Sequence, residues 1–314
     1  MSPPKVDISS NILGRGVCIF GGKAAFCFTI DTRNTSAGST SSNQFKPPTV
    51  SGGTYDFNID WGDTSNDDIS TWDDAALTHT YATEGIYTVS ISGTFTGWSF
   101  NYSGDREKIL DIANWGNGVL TFIGSGGLYG CTNLTVSAEE GEPSFTGGSY
   151  PQQFVAYCPA LTTIPGMENW DWSSATTAYQ IARSATLFNQ ALPDMPLVTR
   201  IDAGFRDSAF NQAMPDLSAV TNIGTALLNA DSYDQDLSSL PWAIITAAAN
   251  FMLNATGIST ANYDATLIAM DAASVSSLTI HFGGAKYTGG GAAETARTNL
   301  VGRGCTITDG GVAP

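Results

Sequence analysis

The stretch Phe188-Asn-Gln-Ala-Leu-Pro-Asp194 decides the fold, because it returns almost unchanged as Phe210-Asn-Gln-Ala-Met-Pro-Asp216. A looser third copy, Tyr233-Asp-Gln-Asp-Leu-Ser-Ser239, follows, so the steps between copies are 22 and 23 residues. One copy of this length cannot bury its apolar residues alone, and neighbouring copies have to stack to share a core. The repeat therefore predicts stacked coils, each with a short strand and a helical or 3-10 turn.

Weaker copies extend the repeat region toward the N-terminus, to about Asn114. Two earlier turns are marked by Cys131-Thr-Asn-Leu-Thr-Val and Cys158-Pro-Ala-Leu-Thr-Thr-Ile, and Val198-Thr-Arg-Ile and Val220-Thr-Asn-Ile fill the matching position later. A period near 22 residues lies within the range of about 20–29 residues of leucine-rich repeats. We expect this architecture over residues 114–260.

The repeated motif predicts a structural ladder. Its aromatic members are expected to stack in register in the core, and its polar members to satisfy backbone groups from buried positions, since an amide offers donors and an acceptor. The alternative is a polar binding stripe on one face. The ladder consists of Phe188, Asn189, Gln190, Phe210, Asn211, Gln212, Tyr233, Asp234 and Gln235.

The N-terminal part has the pattern of short strands. Tyr55-Asp-Phe-Asn-Ile-Asp-Trp61 alternates apolar with polar residues, and other strand candidates are Ala24 to Asp31, Gly85 to Ser92 and Thr94 to Asn101. Short strands at this spacing indicate a sandwich or barrel. Residues 1–23, with Pro3-Pro4 and several glycines, are predicted to be an extended arm that contacts another chain.

Two resemblances refine this prediction. The series Tyr55-Asp-Phe-Asn-Ile-Asp-Trp-Gly-Asp63, Leu77-Thr-His-Thr-Tyr81 and Gly85-Ile-Tyr-Thr-Val-Ser-Ile91 resembles the polycystic-kidney-disease (PKD) immunoglobulin-like sandwich. The repeats resemble the BspA-like branch of leucine-rich repeats of bacterial surface proteins. The resemblances imply a PKD-like β-sandwich over residues 24–113, a solenoid over 114–260 and a capping segment over 261–314. They imply display on a bacterial or viral surface and no chemistry.

The composition excludes some partners. Lys and Arg total 13 against 29 Asp and Glu, which gives a net charge of −16 that repels nucleic-acid phosphates and anionic membranes. No segment reaches the roughly 18 apolar residues of a membrane span. We expect neither nucleic-acid binding nor membrane insertion. The acidity also has a simpler explanation, which is solubility.

Two groups of residues are candidate binding sites. Asp60, Asp63, Asp67 and Asp68 bring together carboxylates at turns, which Ca²⁺ prefers, but the spacing fits no EF-hand. A structural interpretation is that Asp63 caps a turn through its own backbone while the others face solvent. Trp170-Asp171-Trp172, with Tyr179 nearby, has a composition that suits sugar rings or a partner surface, although at least one of the two indoles is expected in the core. Apart from this open Ca²⁺ alternative, no cofactor is predicted.

Catalytic motifs are not found, and the chain has two histidines, in different predicted domains. The enzymatic alternative is a glycan-degrading enzyme built on paired carboxylates, for which Glu139, Glu140 and Glu142 are candidates. Among the five cysteines, Cys18 and Cys27 lie close enough in sequence to pair, although buried free thiols are the commoner outcome.

We therefore expect a non-enzymatic structural and adhesion protein of a virion surface, such as a phage tail fibre, tail tip or head decoration. No secretory signal is recognised at the N-terminus, which favours a virion over a secreted protein. The arm would contact other virion proteins, the solenoid would contact a host surface glycan or protein, and the chain would act as a homo-oligomer or in many copies. The alternatives are a glycan-degrading enzyme, a bacterial cell-surface or secreted adhesin, and a Ca²⁺-dependent sugar-binding module.

Overall fold

The computed structural model describes residues 19–20, 23–116, 118–139, 141–146 and 150–314, which form a mainly β structure with two α-helices. The mainly β prediction is confirmed. Residues 1–18 and 21–22 lie outside the described part, so the extended arm and its contact with another chain stay predictions. The strands are β1 Ile19–Phe20, β2 Lys23–Ala24, β3 Phe26–Asp31, β4 Gln44–Phe45, β5 Thr54–Asp60, β6 Asn66–Ile69, β7 His79–Thr80, β8 Ile86–Thr96, β9 Ile109–Trp115, β10 Leu120–Ile123, β11 Thr135–Val136, β12 Ser144–Thr146, β13 Thr279–His281 and β14 Thr306–Thr308. The helices are α1 Thr260–Ala272 and α2 Ala292–Gly302.

The N-terminal sheet is organised around the long strand β8. Its first half pairs antiparallel with β3, and its second half pairs antiparallel with β5. At Gly93, where φ is +112°, a Cβ atom would lie 2.4 Å from the backbone oxygen of Asp56, so glycine allows β8 and β5 to approach at this point. Apolar residues alternate along β5, and Tyr55, Phe57 and Ile59 are buried.

The motif residues of this N-terminal part pack against one another. The indole of Trp61 stacks on the imidazole of His79 with ring centroids 4.6 Å apart, and Asp63 Oδ2 lies 2.8 Å from His79 Nε2. Tyr81 donates its hydroxyl proton to the backbone oxygen of Trp61 at 3.1 Å. The ring of Tyr81 also stacks on that of Tyr87, with centroids 3.9 Å apart, so the three sequence segments that carry the PKD-like resemblance meet in one cluster.

A buried ion pair holds the polar loop before β4. Lys108 Nζ lies 3.4 Å from Asp105 Oδ1, and both side chains have no exposed surface. The same ammonium donates to the backbone oxygens of Ser41 and Gln44, while Asp105 Oδ1 accepts the N–H of Thr40 at 2.7 Å. The loop is ordered through contacts within its own chain.

The strand β9 connects the N-terminal sheet to the residues that follow. It pairs antiparallel with β3 and parallel with β11, and the predicted boundary at 113/114 falls inside it. The buried apolar residues form one cluster that continues from Phe26 to Cys305. The two predicted domains therefore share a sheet and a core.

In the repeat region, successive turns are joined by parallel backbone hydrogen bonds. Each turn carries two residues with positive φ, four positions apart, between overlapping β-turns. Because β-turns alternate with these left-handed residues, every second N–H of a turn points along the stack and donates to the next turn. The positive-φ pairs are Gly126 and Gly130, Gln153 and Tyr157, Gln180 and Ser184, Ala203 and Asp207, Thr225 and Asn229, and Asn250 and Asn254. Representative bonds between turns run from Val155 N to Ile181 O, Ala182 N to Gly204 O, Phe205 N to Ala226 O, and Leu227 N to Phe251 O.

The aromatic members of the predicted ladder are all in the core. Phe210 and Tyr233 stack with ring centroids 6.2 Å apart, as predicted, and Phe188 is fully buried. Phe210 makes a second and closer stack with Phe205, at 3.8 Å, which lies in the same turn. The sequence analysis did not include this ring.

The last segment continues the parallel backbone pairing between turns and adds two helices. The bridge between Ala248 and Ile280 joins β13 to the preceding turn, and β13 pairs parallel with β14. Because parallel strands need a crossover, α2 connects them. The carboxylate of Asp309 accepts hydrogen bonds from Tyr263 of α1 and Arg297 of α2, both at 2.7 Å, and so ties the helices to the end of the chain.

No described helix is both long enough and apolar enough to span a bilayer. Cys27 is disulfide-bonded, so the interpretation of a free thiol is wrong for this residue, while the predicted partner Cys18 lies outside the described residues. Cys131, Cys158 and Cys305 are free and buried. Burial raises the pKa of Cys158 to about 12, which makes its thiol unreactive near neutral pH.

Candidate binding surface

Tyrosines from successive turns meet on the surface of the repeat region. The ring centroids of Tyr102 and Tyr129 are 4.8 Å apart, and that of Tyr157 lies 5.5 Å from Tyr102 and 5.7 Å from Tyr129. The backbone places them there, since Tyr102 N donates to Tyr129 O and Tyr157 N donates to the oxygen of the following turn. Tyr102 is 47% exposed, so this cluster is open to solvent.

Arginines cover these rings. The guanidinium carbon of Arg106 lies 4.6 Å from the ring centroid of Tyr102, and that of Arg183 lies 5.5 Å from the centroid of Tyr157. One turn further along, Arg200 lies 4.5 Å from the ring centroid of a fourth tyrosine. Such cation–π contacts fix the orientation of both partners. The Tyr-Arg patch is defined here as Tyr102, Tyr129, Tyr157, Tyr179, Arg106, Arg183 and Arg200.

Gly130 makes room for the patch. Its φ of +85° belongs to the left-handed region, and a Cβ at this position would lie 2.6 Å from a ring carbon of Tyr102 and 2.8 Å from Cδ of Arg106. A side chain would displace both residues. The local backbone and the position of the aromatic cluster therefore depend on the same glycine.

The arginines of the patch differ in their partners. Arg106 pairs with Glu107 at 2.9 Å, and Arg200 pairs with Asp202 at 2.7 Å. Arg183 has no ion pair and no side-chain hydrogen bond with any residue of the described part of the chain, and its Nε is buried without an acceptor. No described residue therefore neutralises the charge of Arg183.

The phenol of Tyr129 lies at the centre of this electrostatic environment. Burial raises its pKa, and the neighbouring phenols of Tyr157 and Tyr102 raise it further, while Arg183 opposes the shift. Tyr129 is therefore neutral at physiological pH and acts as a hydrogen-bond donor or acceptor.

An open groove of about 550 Å³ adjoins the patch at residues 101–103. Hydroxyls and an amide line it together with two aliphatic side chains, a mixture typical of sites that recognise polar ligands. The lining includes Val50, Ser99, Asn101, Ser103, Ile123 and Ser125. Asn101 and Ser103, which flank Tyr102 in sequence, belong to this lining, so the groove and the patch come close to each other at Tyr102.

The predicted aromatic anchors are not exposed. Trp172 is fully buried and Trp170 is 5% exposed, which confirms that at least one indole lies in the core and leaves neither ring as an exposed anchor. Phe145 covers them, with ring centroids 5.7 Å from Trp170 and 5.6 Å from Trp172. Asp171 is exposed and accepts the N–H and hydroxyl of a nearby serine in a local turn, which lowers its pKa.

A second open pocket, of about 320 Å³, contains the carboxylates proposed for an enzyme. Glu139 and Glu142 line it together with Asn169 and one edge of Trp170. Both glutamates are exposed. Glu140 lies outside the described residues.

The four aspartates proposed for Ca²⁺ are engaged separately. Asp60 Oδ1 accepts the N–H of Gly62, and Asp63 Oδ1 accepts the N–H of a serine two residues later, which is the predicted turn. Asp67 Oδ2 accepts the indole N–H of Trp61 at 2.8 Å, and Asp68 Oδ1 accepts an asparagine amide at 2.9 Å. No group of three metal-binding side chains occurs among the described residues.

The polar ladder satisfies backbone groups, as predicted, but at the surface. Asn189 Oδ1 accepts the N–H of Asn211 at 2.9 Å, and Asn211 Oδ1 accepts the N–H of Asp234 at 2.8 Å. Gln212 Nε2 and Gln235 Nε2 donate to the same two asparagine oxygens, at 2.9 and 3.0 Å. All five side chains are partly or fully exposed, so the expectation of buried amides is wrong.

The two ends of the ladder use other partners. Asp234 Oδ1 accepts the N–H of Ser259 at 2.7 Å, and this bond lowers the pKa of Asp234. Gln190 Nε2 donates to Glu168 Oε2 at 2.9 Å, one turn earlier. The ladder thus connects turns along the stack, and most of its acceptors are occupied by the protein itself.

The sequence analysis named Tyr179 and missed the other members of the patch. A signal existed, because Tyr129 stands two residues before Cys131 and Tyr157 stands one residue before Cys158. The two cysteines mark equivalent turns, so the tyrosines occupy neighbouring positions of consecutive repeats. Comparison of the chain with family models, curated proteins and solved structures finds no match.

Proposed function

We propose that the chain is a non-enzymatic attachment protein that binds its target through the Tyr-Arg patch and the adjoining groove. The proposed architecture is a PKD-like β-sandwich over residues 24–113, a leucine-rich-type solenoid over 114–260 and a capping unit over 261–314. The parallel hydrogen bonds between turns support the solenoid, and the Trp61, His79 and Tyr81 cluster supports the PKD-like part.

The observation that carries the proposal is the aromatic and cationic surface itself. Tyrosine and arginine are enriched at binding interfaces, because they combine large contact area with directional polar groups. Here the exposed ring of Tyr102 contacts the half-buried rings of Tyr129 and Tyr157, and the half-buried Tyr179 lies close to Tyr129. The surface is broad and shallow, which favours binding over turnover.

We further propose that the protein is displayed in many copies on a virion surface, as a tail fibre, tail tip or head decoration. Multivalent display raises avidity by about 10²–10⁴ over a single weak contact, so a shallow patch suffices for attachment. The net charge of −16 supports solubility of such an array. The alternative location is a bacterial cell surface or the medium, and an adhesin there would bind its target through the same patch and groove.

The test combines location with adsorption. Antibodies against the protein should label intact particles in electron micrographs, and purified protein should adsorb to host cells. Tyr129→Ala should lower adsorption at least tenfold, because it removes the central ring of the patch. Trp72→Ala is the matched control, since Trp72 is 45% exposed and lies outside the patch. Equal adsorption of both variants and the wild type would contradict the proposed binding surface.

The glycan-degrading alternative rests on the pocket that contains Glu139 and Glu142. Retaining and inverting glycosidases need two carboxyl groups on either side of the bond they cleave. If the purified protein cleaves host surface glycan, and if Glu139→Gln or Glu142→Gln abolishes cleavage without unfolding the chain, the protein is a glycan-degrading enzyme. Adsorption without cleavage supports the attachment protein.

A further inference from the structure

We propose that the Tyr-Arg patch binds a carboxylate-bearing polysaccharide, with Arg183 as the residue that binds a sugar carboxylate; this inference rests on the proposed attachment function. Arg183 is placed for this role by its neighbours. Its guanidinium lies over the ring of Tyr157, which fixes its plane, and no described residue forms an ion pair with it. A planar guanidinium with free N–H groups binds a carboxylate through two parallel hydrogen bonds.

The hydrogen-bonding capacity of the Arg183 guanidinium is not used by the described residues. Its buried Nε has no hydrogen-bond partner, and an unsatisfied buried donor costs about 1–3 kcal/mol. Arg106 Nε is in the same situation, although the outer nitrogen of Arg106 is engaged by Glu107. Because Nε itself is shielded from solvent, a ligand carboxylate would bind the two outer nitrogens of Arg183, which no described residue engages.

The tyrosines account for the sugar part of the ligand. A sugar ring has an apolar face of C–H groups and an edge of hydroxyls, and an aromatic ring with a polar tip matches both. Tyr102, Tyr129 and Tyr157 offer three such rings in mutual contact. Beyond them, the hydroxyls and amide of the groove continue the surface for further sugars of the same chain.

Charge complementarity selects an acidic chain over a neutral one. Of the three arginines in the patch, Arg106 and Arg200 are paired with Glu107 and Asp202, so Arg183 carries the guanidinium charge that no described residue neutralises. The remaining surface is acidic and repels a polyanion. The local field therefore directs such a chain to the patch, and the attraction weakens with salt.

The experiment measures binding of a defined oligogalacturonate to the full chain by calorimetry. The matched neutral probe is the same oligosaccharide with its carboxyl groups methyl-esterified. We expect the acidic form to bind at least tenfold more tightly, and we expect this preference to shrink as sodium chloride is added. Arg183→Gln should weaken binding of the acidic form at least tenfold, and Arg183→Lys should give an intermediate affinity, since it keeps the charge and loses the planar donor pair.

Two controls separate recognition from folding. Arg33→Gln removes an exposed arginine of the N-terminal part, whose side chain is paired with Asp31, and should leave binding unchanged. Tyr157→Ala should weaken binding of both probes, because it removes a ring and not a charge. The thermal midpoints of all variants should match that of the wild type.

Equal binding of the acidic and neutral probes, or unchanged binding by Arg183→Gln, overturns the proposal. If neither probe binds but Tyr129→Ala still abolishes adsorption to cells, this inference fails and the proposed attachment function stands. If adsorption is also insensitive to Tyr129→Ala, both fail.

Discussion

Replacement of Lys108 by methionine should destabilise the fold strongly, because it removes one partner of a buried ion pair and leaves the carboxylate of Asp105 buried. The Lys108 ammonium donates to Thr40 Oγ1 at 2.7 Å and to the backbone oxygens of Thr40, Ser41 and Gln44 at 3.2, 2.9 and 2.7 Å. Burial lowers the pKa of Lys108, and the carboxylate of Asp105 opposes this shift. Methionine keeps an unbranched side chain that is one atom shorter than that of lysine, and it removes every donor.

The expected magnitude follows from the groups left behind. Removal of one partner of a buried pair costs about 3–5 kcal/mol, since the other charge stays buried without compensation. Asp105 keeps the N–H groups of Thr40 and Lys46 and the hydroxyl of Thr40 as partners, all at 2.7 Å, so the loss should fall within this range and not above it. With an m-value of about 2–3 kcal/mol/M, the urea midpoint should fall by about 1–2.5 M.

The assay is urea unfolding followed by tryptophan fluorescence, together with hydrogen exchange of the Thr40 and Lys46 amides. Both amides should exchange faster in Lys108→Met, because their acceptor, Asp105, loses its counter-charge. Arg33→Met is the matched control, since it breaks an exposed pair, and its midpoint should stay close to that of the wild type. A Lys108→Met midpoint within 0.2 M of the wild type, or unchanged exchange, would refute the reasoning.

Two further predictions concern the ladder and the buried phenols. Asn211→Ala should lower the free energy of unfolding by about 1–3 kcal/mol, because the next turn loses its N–H acceptor, whereas Gln212→Ala should have a smaller effect; equal midpoints for the two variants in urea would contradict this. Burial raises the pKa of Tyr81 and Tyr263 well above their ordinary value of 10.0. Their contribution to stability is complete below pH 10 and is lost as the pH rises further, so the thermal midpoint should fall above pH 10. Tyr81→Phe should reduce that fall, and the same slope in this variant and the wild type would count against the assignment.

The sequence by itself determined the repeat and its consequences. The recurrence of Phe-Asn-Gln after 22 residues determined which groups meet between turns, and the hydrogen bonds from Asn211 N to Asn189 Oδ1 and from Asp234 N to Asn211 Oδ1 follow that period. A period is a local pattern that one sequence displays, and stacking is the only way such units share a core. The turn at Asp63 was predictable for the same reason, because the carboxylate bonds its own chain two residues later.

Only the tertiary structure decided which side chains are available to a ligand. Trp170 and Trp172 have the composition of a binding motif, but Phe145 and Phe154 cover both indoles. Exposure depends on residues that are distant in sequence. A short motif does not reveal what packs over it.

The Tyr-Arg patch and the buried pair also depend on distant contacts. Tyr102 precedes the recognised repeats and joins Tyr129 and Tyr157 only because the segment at 100–102 hydrogen-bonds to the first turn. Lys108 has a local ion-pair partner in Asp105, but the four oxygens that accept its hydrogen bonds lie 64 to 68 residues earlier in the chain. The chain's own periodicity determined the frame, whereas the burial and exposure of single charged and aromatic residues were decided by how the N-terminal sheet packs onto it.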